Sequence, residues 1–286
     1  MINVVSLHFS RICDLHCPFC YRARGGLKEE RPRQFFLDLI PVIKKLAPQI
    51  ALGGGEPLLD LHFVKKMANT CKRNQLTFNF TTNGKKFSEM SDDEIFHLLL
   101  DVQMVSISFD YFKWGKEPHK YAKIIQRIKH ITAERRVSTE DTPFQIGTNL
   151  LLDRSMLKNQ GLPFLHIILW LFHKVHIDRI FVLHPKYGKF LDVLSIKPIF
   201  LALTNQYPHF YIDDSLKKIL EEGYKNWQHP CHFGKSFLSI DEQGMVYGCS
   251  FDNDPLFTLN QPKDLLKITR IQVEERYECP YIPQCS

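Results

Sequence analysis

Val4-Val5-Ser6-Leu7-His8-Phe9-Ser10-Arg11-Ile12-Cys13-Asp14-Leu15-His16-Cys17-Pro18-Phe19-Cys20 opens with a short alternating run that empties into a cysteine-bearing loop. Ser6, His8 and Ser10 alternate with Val5, Leu7 and Phe9, the period of a β-strand with one polar and one apolar face. The alternation returns where Ser106, Ser108 and Asp110 interleave with Val105, Ile107 and Phe109, and where Gln145, Gly147 and Asn149 interleave with Phe144, Ile146 and Thr148. Val4–Phe9, Ile50–Leu52, Thr77–Phe80, Met104–Phe109, Phe144–Asn149 and Arg179–Leu183 read as strands. Helical patterns fall between them near Arg33–Leu46, Leu61–Asn74, Asp92–Leu100, Tyr121–Glu134 and Leu162–Val175. Strands alternating with helices imply parallel βαβ units. A parallel sheet wrapped by helices is normally apolar on both faces, so a polar face must line something wet or ligand-filled. The expected fold is α/β: a partial, open (β/α)6 barrel with a filled lumen, rather than a packed eight-stranded barrel.

Beyond Pro185 the rhythm changes. Helix-like stretches near Pro198–Gln206 and Asp213–Tyr224 lead into a cysteine-bearing tail, in which Phe237–Tyr247 reads as a hairpin turning at Asp241–Gly244. The expected division is a core over residues 1–210 and a small β-hairpin-plus-helix domain over 211–286.

Composition narrows the class. With 44% hydrophobic and 24% charged residues, the chain is an ordinary globular one and not a disordered one. The net charge of +6 comes without any Lys/Arg block, which argues against nucleic acid as a partner. The first residues lack a signal peptide, and the most apolar stretch, Leu162–Val175, holds two histidines and a lysine and is too short to span a bilayer. The expectation is a cytoplasmic protein with no membrane partner, where eight cysteines serve metal or redox chemistry rather than disulfides.

Cys13, Cys17 and Cys20 form C-x3-C-x2-C at the carboxyl end of the first strand, where α/β folds carry their sites. A zinc site and incidental cysteines are the plain alternatives. Three thiolates are one short of the four that close an iron–sulfur cube, which would leave one iron open to a ligand.

That motif, with Phe19 just before its last cysteine, resembles the signature of the radical S-adenosylmethionine (SAM) superfamily. Three further segments match the superfamily in order: Gly54-Gly55-Glu56-Pro57 after strand two, Thr82-Asn83-Gly84 after strand three, and Ser106, Ser108 and Asp110 on strand four. Asn149 ends strand five, and the backbone near Leu183–His184 follows strand six. The resemblance covers about residues 3–185 and implies the partial barrel of the radical SAM type. It also implies a 4Fe-4S cluster on Cys13, Cys17 and Cys20, and SAM chelated to the open iron. Gly54, Gly55, Glu56, Pro57, Thr82, Asn83, Ser106, Ser108, Asp110, Asn149 and Phe19 are the implied cofactor contacts.

Four more cysteines lie in the tail: Cys231 and Cys249 as C-x17-C, and Cys279 and Cys285 as C-x5-C. Structural zinc sites usually pair ligands more closely, whereas four thiolates suit a closed cube. The tail resembles the twitch domain, a shortened SPASM domain, which implies a second, auxiliary 4Fe-4S cluster. The Cys279–Cys285 spacing departs from the C-x2-C more usual there. Cys71 falls with Val64, Met67 and Ala68 on an apolar helix face and reads as a buried hydrophobe.

The resemblance implies SAM cleavage to a 5′-deoxyadenosyl radical that takes hydrogen from a substrate, with the auxiliary cluster accepting the left-over electron. A redox-neutral cyclisation, rearrangement or epimerisation, peptide maturation, and a non-catalytic iron–sulfur or zinc module are the other readings. A flavodoxin- or ferredoxin-type electron donor is the implied protein partner. With Cys13 so near the start there is no room before it for a leader-binding domain, so a small molecule, or a peptide bound without one, is the expected substrate. No side chain is assigned as the catalytic base.

Overall fold

The opening alternating run forms β1 (Val4–His8), and the chain then repeats a strand–helix rhythm. The computed structural model describes residues 2–20, 29–134, 138–139, 142–151, 165–183, 210–212, 234–250 and 252–271. In chain order follow α1 (Arg33–Ile43), β2 (Gln49–Gly53), α2 (Leu61–Arg73), β3 (Thr77–Thr82), α3 (Asp92–Leu99) and β4 (Met104–Phe109). A single turn, α4 (Tyr111–Trp114), precedes α5 (Pro118–Glu134). A two-residue hairpin, β5 (Ser138–Thr139) with β6 (Thr142–Pro143), then leads to β7 (Gln145–Leu151). After these come α6 (165–174), β8 (Arg179–Leu183) and β9 (Phe210–Ile212). The tail contributes β10 (Phe237–Ile240), β11 (Met245–Tyr247), β12 (Phe257–Thr258) and a 3-10 run over Pro262–Arg270.

α2 and α3 form where the sequence supplies both a side-chain cap and a buried stripe. Asp60 caps α2 by accepting from Phe63 N–H at 3.1 Å, and Phe63, Val64, Met67, Ala68 and Cys71 make its buried face. Ser91 and Glu94 form a reciprocal capping box on α3. Tyr121, Ile125 and Ile128 bury the inner face of α5, and Leu165, Ile168, Leu169 and Phe172 that of α6. Cys71 is fully buried, as its place on the apolar stripe predicts.

Of the twelve strands among the described residues, ten join in one sheet ordered β12-β11-β10-β1-β2-β3-β4-β7-β8-β9, and β5 pairs with β6 in a second. Among the described residues the ends of the ten-stranded sheet do not pair, and the barrel is open. The six expected strands are β1, β2, β3, β4, β7 and β8, all parallel to their neighbours. β9 extends the row in parallel beyond β8. The hairpin expected at Phe237–Tyr247 forms, and β10 pairs in parallel with β1 from Val4↔Phe237 to Leu7↔Ile240. The helix-like stretches near 198–206 and 213–224 lie outside the described residues.

Register sorts the polar side chains into rows across the inner face. Ser239, Ser6, Ala51, Asn79, Met104 and Gln145 align. Thr81, Ser106, Gly147 and Arg179 form the next row, and Ser108, Asn149 and Phe181 the one above. Val5, Leu7, Ile50, Phe78, Phe80, Val105 and Ile107, with alternate parity, are buried in the core. No helix among the described residues is long and apolar enough to cross a membrane.

Candidate active site

The cysteine loop follows β1 directly, and its course is set by the turn after β2. Gly55 N–H donates to Ser10 O and Glu56 N–H to Ile12 O, each at 2.8 Å. A side chain on Gly55 would place its first carbon 1.9 Å from Ile12 O, and one on Gly54, whose φ is +125°, 2.6 Å from Ser10 O. These glycines are thus required by the close approach of two main chains, that of β2's turn and that of the cysteine loop.

Glu56 ties this turn to the one after β3. Its Oε1 accepts from Leu58 N–H at 2.9 Å and from the Thr82 hydroxyl at 2.6 Å, while Oε2 accepts from Asn83 N–H at 2.7 Å. Burial pushes the Glu56 carboxyl above its ordinary range, against the pull of those three donors. Asn83 carries the connection back to the cysteine loop, its Nδ2 donating to Asp14 Oδ1 at 2.7 Å. Asn83 Oδ1 accepts from Lys85 N–H at 2.8 Å, and Asn83 O accepts from Trp114 Nε1 at 3.2 Å. Pro57 is buried at the head of a short 3-10 turn.

The loop after β4 completes the ring. Asp110 Oδ1 accepts from Lys113 N–H at 2.8 Å, capping α4, and Lys113 Nζ lies 2.7 Å from Asp110 Oδ2. The same ammonium stands 6.0 Å from the Phe19 ring centroid. Burial pushes the Cys17 thiol up to about 11, and the Lys113 charge opposes that rise. Burial likewise raises the Cys13 thiol.

The expected site residues therefore divide. Glu56, Thr82, Asn83 and Asp110 are joined in hydrogen bonds that fix the turns, and Gly54 and Gly55 hold the cysteine loop. Ser106, Ser108 and Asn149 lie instead on the inner face of the sheet, where Asn149 Nδ2 reaches Thr81 Oγ1 at 3.4 Å. Gly147 leaves room there for Ser106, whose Oγ a side-chain carbon would approach to 2.7 Å. Cys13, Cys17 and Cys20 are free and partly buried on one loop. Among the described residues no three His, Cys, Asp or Glu side chains converge as ligands of a single ion would. Cys249 is partly buried just beyond β11, while Cys231, Cys279 and Cys285 lie outside the described residues.

Lys113, Trp114, Glu30 and Glu242 were not singled out by the sequence. Trp114, Glu30 and Glu242 act through partners distant along the chain, and no local motif marks them. Lys113 alone carried a local signal, three residues after the motif aspartate Asp110.

Residues 7–139 match the model of the Radical SAM superfamily. An uncharacterized protein of Methanocaldococcus jannaschii is 33% identical over 103 residues, 36% of this chain and 33% of that protein. The 7-carboxy-7-deazaguanine synthase of Synechocystis sp. is 30% identical over 73 residues, 25% of this chain and 34% of that enzyme. The chain thus spans about a third of the length of these relatives. Among solved structures, Streptococcus suis SuiB bound to S-adenosylmethionine superposes with a TM-score of 0.65 at 13% identity, covering 87% of this chain and 58% of SuiB. Native anSMEcpe with bound AdoMet and Cp18Cys peptide gives 0.59 at 15% identity, covering 94% and 80%. Residues 7–139 accordingly resemble a radical SAM domain, and the chain has the open α/β barrel of the radical SAM fold.

Proposed function

We propose that this protein is a radical SAM enzyme that holds a 4Fe-4S cluster on Cys13, Cys17 and Cys20, binds SAM at its open iron, and oxidises a peptide or small-molecule substrate by radical chemistry. The observation that carries the reading is the ring of turns around the cysteine loop. Gly54–Glu56, Asn83 and Lys113 come from the ends of β2, β3 and β4, and all bear on residues between Ser10 and Phe19.

The donor set fits a cube. Three thiols on one loop leave a fourth position open, and a cube spreads its ligating sulfurs over separate irons instead of gathering them at one point. When bound, the cluster supplies one electron to SAM, whose cleavage yields a 5′-deoxyadenosyl radical that takes hydrogen from the substrate. The chain's own residues position and shield. Glu56 and Asn83 brace the loop, Lys113 lays positive charge beside Cys17, and Ser106, Ser108 and Asn149 offer neutral hydrogen-bonding groups in the lumen. Loss of protons from the two raised thiols accompanies metal loading.

Cys231, Cys249, Cys279 and Cys285 are proposed to hold the auxiliary 4Fe-4S cluster that accepts the second electron. In support, Tyr247 pairs with Ser239 and Ser239 with Ser6, so the chain reaches Cys249 at the end of the sheet opposite the Cys13 loop. A flavodoxin- or ferredoxin-type protein is the proposed donor of the first electron, and the proposed compartment is the cytoplasm. The peptide arm draws support from SuiB solved with its precursor peptide SuiA, at 14% identity, and from anSMEcpe with its peptide.

The test is anaerobic reconstitution followed by iron, sulfide and zinc analysis. About eight irons and eight sulfides per chain support two cubes. About four irons remove the auxiliary cluster and favour a redox-neutral reaction. Deleting the last two residues should cost the auxiliary cluster and spare the first; unchanged iron content would exclude Cys285 as a ligand.

A further inference from the structure

Both ends of the cysteine-bearing stretch are held by one turn of the C-terminal hairpin. At the near end, Arg11 pairs through Nε with Glu242 Oε1, and the Glu242 side chain is fully buried. At the far end, Arg31 N–H donates to Glu242 O at 2.7 Å, Arg31 Nε to Gln243 O at 3.1 Å and Arg31 Nη2 to Leu259 O at 2.8 Å. Glu30 links the two ends, its Oε1 accepting from the Ser10 hydroxyl and from Arg11 N–H, each at 2.8 Å.

The turn is itself a fixed object. Asp241 Oδ1 accepts from Gln243 N–H at 3.0 Å and Met245 N–H at 2.9 Å, and Gly244 takes the left-handed φ of +82° that closes it. Because β10 runs parallel to β1 and in register with it, the turn stands at the sheet end where the cysteine loop begins. Stability alone does not call for a buried ion pair there, since an apolar pair of similar volume does as well. What the guanidinium–carboxylate pair adds is direction. It orients Arg11 between Ser10 and Ile12, the two residues whose carbonyls receive Gly55 and Glu56.

We propose that Arg11 and Glu242 are positioning residues through which the C-terminal hairpin sets the cysteine loop for cluster assembly. The role rests on the reading of Cys13, Cys17 and Cys20 as cluster ligands, but the mechanical part is testable without metal. A chain whose hairpin turn is intact presents the loop in one conformation. A chain lacking the pair keeps all three cysteines and presents them loosely.

The experiment compares the full chain with Glu242→Gln and with the double variant Arg11→Gln/Glu242→Gln, which removes both charges of the pair together. In the metal-free proteins, amide exchange at Arg11, Gly55 and Glu56 should rise about tenfold or more in both variants, as lost local restraint requires, while β3 and β4 amides stay protected. Melting temperature should recover in the double variant; loop protection should not. After reconstitution, the share of reduced cluster whose paramagnetic resonance spectrum responds to SAM should fall in both. A double variant that regains loop protection together with stability overturns the proposal, as does exchange that rises evenly through β10 and β11. Lost protection with an unaltered SAM-responsive spectrum keeps the latch but refutes its link to cluster assembly. A protein that binds no iron at all, with the exchange result as expected, counts against the cluster reading and not against the latch.

Discussion

Asn83 joins Glu56 to Asp14: its N–H donates to Glu56 Oε2 at 2.7 Å and its Nδ2 to Asp14 Oδ1, also at 2.7 Å. Two turns from different strands thereby bear on the residue next to Cys13. Replacing Glu56 by Ala strands the N–H groups of Leu58 and Asn83 and the Thr82 hydroxyl in a buried place. The expected loss is about 3 kcal/mol in urea unfolding of the metal-free chain, with Glu56→Gln losing less because one acceptor survives. A loss under about 0.5 kcal/mol for Glu56→Ala, within the range of ordinary surface substitutions, would mean that the bridge is not formed in solution.

Gly55→Ala forces a carbon against Ile12 O, which the structure leaves at 1.9 Å with no flexible atom to yield. The two main chains must part and give up the Glu56 N–H to Ile12 O bond. Overpacking of this kind costs about 3 kcal/mol. Iron bound after reconstitution should fall with it, since the displaced segment carries Cys13. Full iron loading at wild-type stability would contradict the reading.

Cys71 provides a pH signature separate from the site. Burial pushes its thiol from 9.0 up to about 12. The folded protein holds that proton after the unfolded chain has released it, so its contribution is full below pH 9.0 and is lost as pH rises toward about 12. Three units correspond to at most about 4 kcal/mol. The wild type should therefore lose stability between those pH values more steeply than Cys71→Ala, and the two should run parallel below. Parallel curves throughout, by chemical denaturation across that range, would exclude a buried thiol.

Tyr121→Phe separates fold from site. The Tyr121 hydroxyl donates to Ile107 O at 2.9 Å and meets Thr148 Oγ1 behind the sheet, away from the lumen. Its loss should cost about 1–2 kcal/mol and leave iron loading unchanged. Reduced loading at full stability would show that the back of the sheet reaches the cluster loop.

The period-two alternation made β1, β4 and β7 legible, because a strand with one wet face writes that face directly into the chain. The capped, striped helices were legible for the same local reason. β9 was not: three residues carry no period. The pairing of β10 with β1 was also hidden, since it joins segments more than two hundred residues apart and no local pattern encodes such a partner. At the site, the cysteines and the Gly54–Pro57 turn stood out by composition. Gly54 and Gly55, expected as cofactor contacts, make room for the cysteine loop itself. Glu242 and Lys113 are ordinary charged residues until the fold brings them to Arg11 and Cys17.

The central claim is that Cys13, Cys17 and Cys20 hold the cluster that cleaves SAM. The most direct measurement is 5′-deoxyadenosine formed from SAM under anaerobic dithionite reduction, comparing the reconstituted chain with a variant in which all three cysteines are Ala. The account predicts 5′-deoxyadenosine and methionine in equal amounts from the wild type and none from the variant. No 5′-deoxyadenosine from an iron-loaded wild type, or equal amounts from both proteins, would contradict it.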